Sequence, residues 1–178
     1  NAFDPAALVK DAAATLPRLV ENAGIPAHDA ASEKLNRLCA DYVARAVVEL
    51  GIDLRPGTLL PAEDLAEALG VVPRHRRLFG QFLAILVQVG VLAKERDSWR
   101  VLRAPRTANL DAEARALLAS EPSIEAELEI TARVAPHLAD ALRGRKDEAE
   151  LLFPNGSIES AERLYRDSPT ARLFNGLM

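Results

Sequence analysis

Apolar residues recur every three or four positions along much of this chain, and each such run predicts a helix with one buried face. The clearest is "HDAASEKLNRLCADYVARAVVELG", where Leu35, Leu38, Tyr42, Val43, Ala46, Val47 and Leu50 make a single stripe. Gly51 follows as a C-terminal stop, because glycine accepts the left-handed conformation that ends a helix. Upstream, "DPAALVKDAAATL" offers Asp4 as an N-cap and Pro5 at the first helical position. The stretch "DLRPGTLLP" breaks the period and predicts a loop around a Pro-Gly turn.

The next segment changes pattern quickly. "PAEDLAEALGV" predicts a short helix ending at Gly70, and "PRHRRLFGQFLAILVQVG" a second, more apolar one from Pro73 to Gly90. Two short apolar runs, Val91-Leu92 and Trp99–Leu102, then flank the charged tip "KERDS", as in a small β-hairpin. Helix, turn, helix and hairpin in succession are the layout of a winged helix. Beyond "APRTA" the helical period returns in "NLDAEARALLASEP" and in "SIEAELEITARVAPHLADALRG", which Pro136 kinks or splits. "DEAELLFPNGS" ends in a Pro-Asn-Gly turn. "SIESAERLYRD" follows, with Ser157 as cap or Ser160 as its alternative, and Ser168-Pro169 opens a last helix. The pattern therefore predicts a mainly α chain: a helical bundle with a winged-helix-like segment and one small β-hairpin. Residues 1–106 form its N-terminal part and residues 107–178 a second helical part.

Composition adds exclusions. One cysteine, Cys39, rules out an internal disulfide and a cysteine-rich metal site, and its place on the apolar stripe makes it a small buried hydrophobe. A reducing, cytoplasmic setting fits that count. No apolar run approaches the roughly 20 residues of a membrane helix. The start, "NAFDPAALVKDAA", has no basic and apolar leader pattern and no initiator methionine, so Asn1-Ala2 is expected to be a trimmed start within a longer protein.

Charge is uneven. The net is −4, yet residues 73–106 carry Arg74, Arg76, Arg77, Lys94, Arg96, Arg100, Arg103 and Arg106 against only Glu95 and Asp97. Two readings stand: a surface for phosphate or an acidic protein, or an ordinary solvated face. In a DNA-reading winged helix the second helix enters the major groove, and Arg74, His75, Arg76 and Arg77 crowd its start. Against that, the helix is apolar along most of its length (Leu78, Phe79, Phe82, Leu83, Ile85, Leu86, Val87, Val89), which predicts burial on more than one side. The acidic whole also differs from a dedicated DNA module, so nucleic acid is the lesser reading. There is no G-x-G-x-x-G, P-loop, H-E-x-x-H or G-x-S-x-G motif. His28, His75 and His137 lie far apart and form no helical ligand pair, so no metal is expected.

Three stretches in one order carry a resemblance. "LNRLCADYVARAVVELG", "LAEALGVVPRHRRLFGQFLAILVQVGVLAKERDSWRV" and "LRGRKDEAELLFPNGSIESAERLYRDSPTARLFN" resemble the region before the methyltransferase core of modular polyketide synthases. The third is the most specific, with "LLFP" and then "LYRDSP", Ala171-Arg172 and Asn175. The resemblance implies a lid that encloses an acyl chain borne on the phosphopantetheine arm of an acyl carrier protein. It implies S-adenosylmethionine as cofactor of the intact enzyme, with none held by this segment, which would be inactive without the core of the same polypeptide.

Tyr165, Ser168, Arg172 and Asn175 are then the residues nearest that core, and Ser168, Arg172 and Asn175 share one face if helical. That face either lines the cofactor or acyl pocket or packs on the core as a hinge, with Arg172 paired to a carboxylate. Arg74, Arg76 and Arg77 are candidates to face an acidic carrier. Two other classes remain open on the residues: a winged-helix DNA-binding regulator and the dimerising N-terminal domain of a small-molecule O-methyltransferase.

Overall fold

A computed structural model of the chain describes residues 5–169 and Ala171. Two long helices open it, α1 (Pro5–Asn22) and α2 (Ile25–Glu49), separated at Gly24, whose φ of 74° is the left-handed conformation glycine tolerates. Asp4, the expected cap of α1, lies outside the described residues. The seven stripe residues of α2 and its end are all buried, and Gly51 ends the helix at φ 104°.

α2 is the spine of two cores. Its C-terminal half (Val43, Ala44, Ala46, Val47) joins the winged-helix segment, and its N-terminal half (Ala31, Leu35, Leu38, Tyr42) joins the later helices. One amphipathic helix therefore serves two partners by using different turns. Burial of each large side chain contributes about 1.5–3 kcal/mol.

The winged-helix segment holds α3 (Leu65–Ala68), a 3-10 turn (Pro73–His75) and α4 (Arg76–Gln88). The expected hairpin forms as β2 (Leu92–Lys94) and β3 (Ser98–Val101). A third strand joins it where the period predicted a loop: β1 (Leu59–Pro61) pairs antiparallel with β3, Leu60 opposite Trp99, giving the order β1-β3-β2. Three residues are too few to display an alternation, and their partner lies some forty positions on. Burial of α4 reaches beyond one stripe. Phe79, Phe82, Leu83 and Leu86 are buried and Ile85, Val87 and Val89 half-buried, while Leu78 stays exposed. Trp99 packs on the edge of this core, with Lys94 Nζ 5.5 Å from its ring.

The second core adds α5 (Leu110–Ser120) through Leu110 and Ala114, a 3-10 turn (Pro122–Ile124) through Ile124, and α6 (Glu125–Val134) through Leu128. Pro136 splits the long predicted helix: a 3-10 turn (Ala135–His137) separates α6 from α7 (Leu138–Leu142). The expected boundary near residue 106 falls in the loop between β3 and α5. α7 crosses back, burying Ala139 and Leu142 in the first core. Arg143 fastens this return by donating to the carbonyls of Glu49 (3.3 Å), Leu50 (3.0 Å) and Leu69 (3.3 Å). These are acceptors at the C-terminal ends of α2 and α3, which have no intrahelical donor. Among the described residues no helix is long and apolar enough to cross a membrane.

Candidate functional site

The segment that carried the most specific motif is built in small steps. Asp147 caps α8 (Glu148–Leu152), its carboxylate accepting from the Ala149 amide at 2.8 Å. The "PNG" turn needs left-handed backbone at Asn155 (φ 53°) and Gly156 (φ 73°), conformations that asparagine and glycine tolerate best. Ser157 Oγ then accepts from the Glu159 amide at 3.3 Å, but the residue at the N-cap of α9 (Glu159–Asp167) is Ile158, one position on from the expected serine.

Arg163 pins α9 to α6. Arg163 donates to Glu129 Oε2 at 2.7 Å and lies 3.5 Å from Glu125, while Leu164 is half-buried. The opposite side is open. Ile158, Ala161, Glu162, Tyr165 and Arg166 line a shallow, mainly apolar groove of about 590 Å³. Tyr165 is 76% exposed and Ile158 57%, and Leu152 and Phe153 are exposed just upstream.

Of the four residues expected near the substrate, Tyr165 and Ser168 can be placed; Arg172 and Asn175 lie outside the described residues. Tyr165 is on the open groove. Ser168 is half-buried, and its Oγ accepts from the Ala171 amide at 3.2 Å. That bond, with Pro169 helical just after it, is the cap and first turn expected of "SP".

The basic run lies at the start of α4. Arg74 Nε donates to His75 Nε2 at 3.1 Å and sits 3.5 Å from Glu148 Oε1, and Arg76 donates to Glu67 Oε2 at 2.9 Å. Arg77 is exposed and makes neither of these pairs. A bond from its own backbone amide holds the Glu148 carboxyl below its ordinary range, with burial opposing and the charges of Arg74 and His75 adding to the effect.

Sequence spacing missed what surrounds this run. Gly144, at φ 67°, lies so close that a Cβ there would meet Val72 Cγ1 at 3.2 Å and Arg74 Nη2 at 3.7 Å. The segment "RGRK" (143–146) is therefore next to "RHRR" (74–77), a contact across seventy residues that no local signal announces.

A second cleft, of about 420 Å³, lies between α2 and α5 and includes Lys34, Arg37, Asp41, Arg106 and Glu113. Burial raises the Asp41 carboxyl, Arg106 opposing, and Arg106 pairs with Glu113. Cys39 is half-buried against the second core, and burial pushes its thiol up, away from the reactive thiolate. Among the described residues no group of three His, Cys, Asp or Glu side chains lies together as a metal site.

No family model matches the chain. It is 34% identical over 151 residues to the non-reducing polyketide synthase atr1 of Stereocaulon alpinum, covering 79% of this chain and 6% of that protein. The crystal structure of the CurJ carbon methyltransferase superposes with a TM-score of 0.83 at 30% identity, over 97% of this chain and 46% of that one. The DszA carbon methyltransferase gives 0.79 at 28% identity, over 92% and 43%. The chain is part of a polyketide synthase carbon methyltransferase domain. It spans a small fraction of the synthase and less than half of the solved methyltransferase chains. Within that domain it supplies the helical region with the three-stranded wing, and belongs to a larger synthase polypeptide.

Proposed function

We propose that this chain is the lid of its methyltransferase domain, enclosing an acyl substrate while the rest of the domain transfers a methyl group to carbon. The observation that carries this reading is the match of nearly the whole chain to under half of a carbon methyltransferase. The open apolar side of α9 supports enclosure rather than independent chemistry. Expelling water and holding the reacting carbon in place lower the barrier to transfer.

S-adenosylmethionine is the methyl donor proposed for the intact enzyme. The described residues do not fit it: none of the three strands runs through a glycine-rich turn into a helix N-terminus, the arrangement that grips a nucleotide-like ligand. Its site belongs in the rest of the domain. Tyr165 and Ser168, with Arg172 and Asn175 further along, are the residues proposed nearest the substrate. The proposed partner is an acyl carrier protein whose acidic surface meets Arg74, Arg76 and Arg77.

The test uses the intact domain and a β-ketoacyl pantetheine thioester. Tyr165→Ala should lower kcat/KM by about tenfold or more, the scale of a positioning defect, with S-adenosylmethionine affinity unchanged. Wild-type kcat/KM in that variant would sink the lid reading.

A further inference from the structure

The outer side of α9 poses a physical problem. A helix of nine residues is fixed by Arg163, yet Ile158 and Tyr165 are exposed to solvent, with the half-buried Ala161 between them in the same groove. Exposed apolar residues scattered singly are ordinary, but here they share one groove. Glu162 and Arg166 line the same groove, so charged side chains stand beside its apolar ones. Apolar side chains flanked by charged ones match the composition of a protein interface.

The occupant follows from the fold comparison. The matching carbon methyltransferase has more than half of its residues outside the region this chain covers. The groove lies on α9 and includes Tyr165 and Arg166 of the "LYRDSP" stretch, whose resemblance is to the region before a methyltransferase core. We infer that the outer side of α9, centred on Ile158 and Tyr165, is the seat of the remaining part of the same methyltransferase domain. This rests on the lid reading and deepens it by naming the surface. The Arg163 pair to Glu125 and Glu129 then has a purpose: it fixes α9 on α6, so the surface is formed before the two parts meet.

The two tyrosines supply the test. Tyr42 is 1% exposed and Tyr165 76%, so an acylating reagent such as N-acetylimidazole distinguishes them. In the 178-residue chain Tyr165 should react and Tyr42 should not. In the intact domain Tyr165 should react at least about fivefold more slowly, as for a side chain taken into an interface. Equal Tyr165 rates in the two proteins overturn the inference. Protection in the short chain that grows with its concentration assigns the groove to a second copy and also overturns it.

Ile158→Asp gives an independent measurement. It should leave the melting temperature of the short chain unchanged and lower that of the intact domain by several degrees. An equal fall in both places Ile158 in the chain's own core and overturns the inference, as does no fall in either. The two proposals fail separately. Tyr165 protected in a domain whose Tyr165→Ala variant methylates normally removes the lid role and keeps the interface; Tyr165 fully reactive in a domain that depends on it removes the interface alone.

Discussion

Tyr42 donates a 2.8 Å hydrogen bond to Asp111 Oδ1, and Arg45 lies over its ring at 4.7 Å while reaching the same carboxylate at 3.5 Å. Burial, then the bond to Asp111 and its charge, push the phenol from its ordinary value near 10 up to about 12, with Arg45 opposing. The folded state therefore binds this proton more tightly than the unfolded chain. The stability it contributes is complete below pH 10 and is lost as pH rises through about 12. Tyr42→Phe should cost about 1 kcal/mol at neutral pH, the net worth of one hydrogen bond. It should also flatten the alkaline decline between pH 10 and about pH 12 in urea unfolding. A decline as steep as in the wild type would assign that loss to other groups. The spacing of the α2 stripe made the burial of Tyr42 legible. Its partner, 69 residues away, was not, because a long-range hydrogen bond leaves no periodic trace.

At the scale of the element, α4 separates the readings of its own sequence. Leu86 is fully buried in the first core and Leu78, two turns earlier, is 43% exposed. Leu86→Ala should cost about 2–5 kcal/mol, from lost transfer energy plus the cavity left behind. Leu78→Ala should stay within about 0.5 kcal/mol. Comparable costs, measured by urea unfolding of the 178-residue chain, would mean that the outer side of α4 is also covered. The same element explains which parts of the fold could be read in advance. Helices with strong period and glycine stops (α2, α3, α4) lie where the pattern puts them, and Pro136 divides its helix as proline must. β1 escaped because its identity comes from pairing with β3, not from its own three residues. The turn after α9 was legible in its cap, Ser168, since capping is local chemistry, whereas Ser157 bonds the Glu159 amide from one residue before the N-cap of α9, Ile158. The open side of α9 was not legible, because exposure is decided by which neighbours arrive.

For the whole molecule, charge counted along the chain differs from charge counted in space. Residues 73–106 carry a basic surplus, yet Arg74 and Arg76 meet Glu148 and Glu67, and Arg106 meets Glu113, all carboxylates from outside that run. Arg100 pairs inside it with Glu95 at 2.6 Å, and Arg103 donates to the Val89 carbonyl. A DNA surface needs cations free to replace the counterions of the phosphates, and each internal pair removes one from that role. Duplex DNA should therefore bind more weakly than about 100 µM at physiological salt, the weak limit of non-specific binding. Fluorescence anisotropy with a labelled duplex measures this directly, and repeating it across salt concentrations counts the phosphate contacts. A micromolar constant that falls steeply with salt would show that the pairs open in favour of phosphate, and would return the winged helix to nucleic-acid recognition. A weak, shallow response leaves Arg77 and its neighbours with too little free charge for a polyanion. A protein partner, which can bring apolar contact as well as a few carboxylates, needs far less.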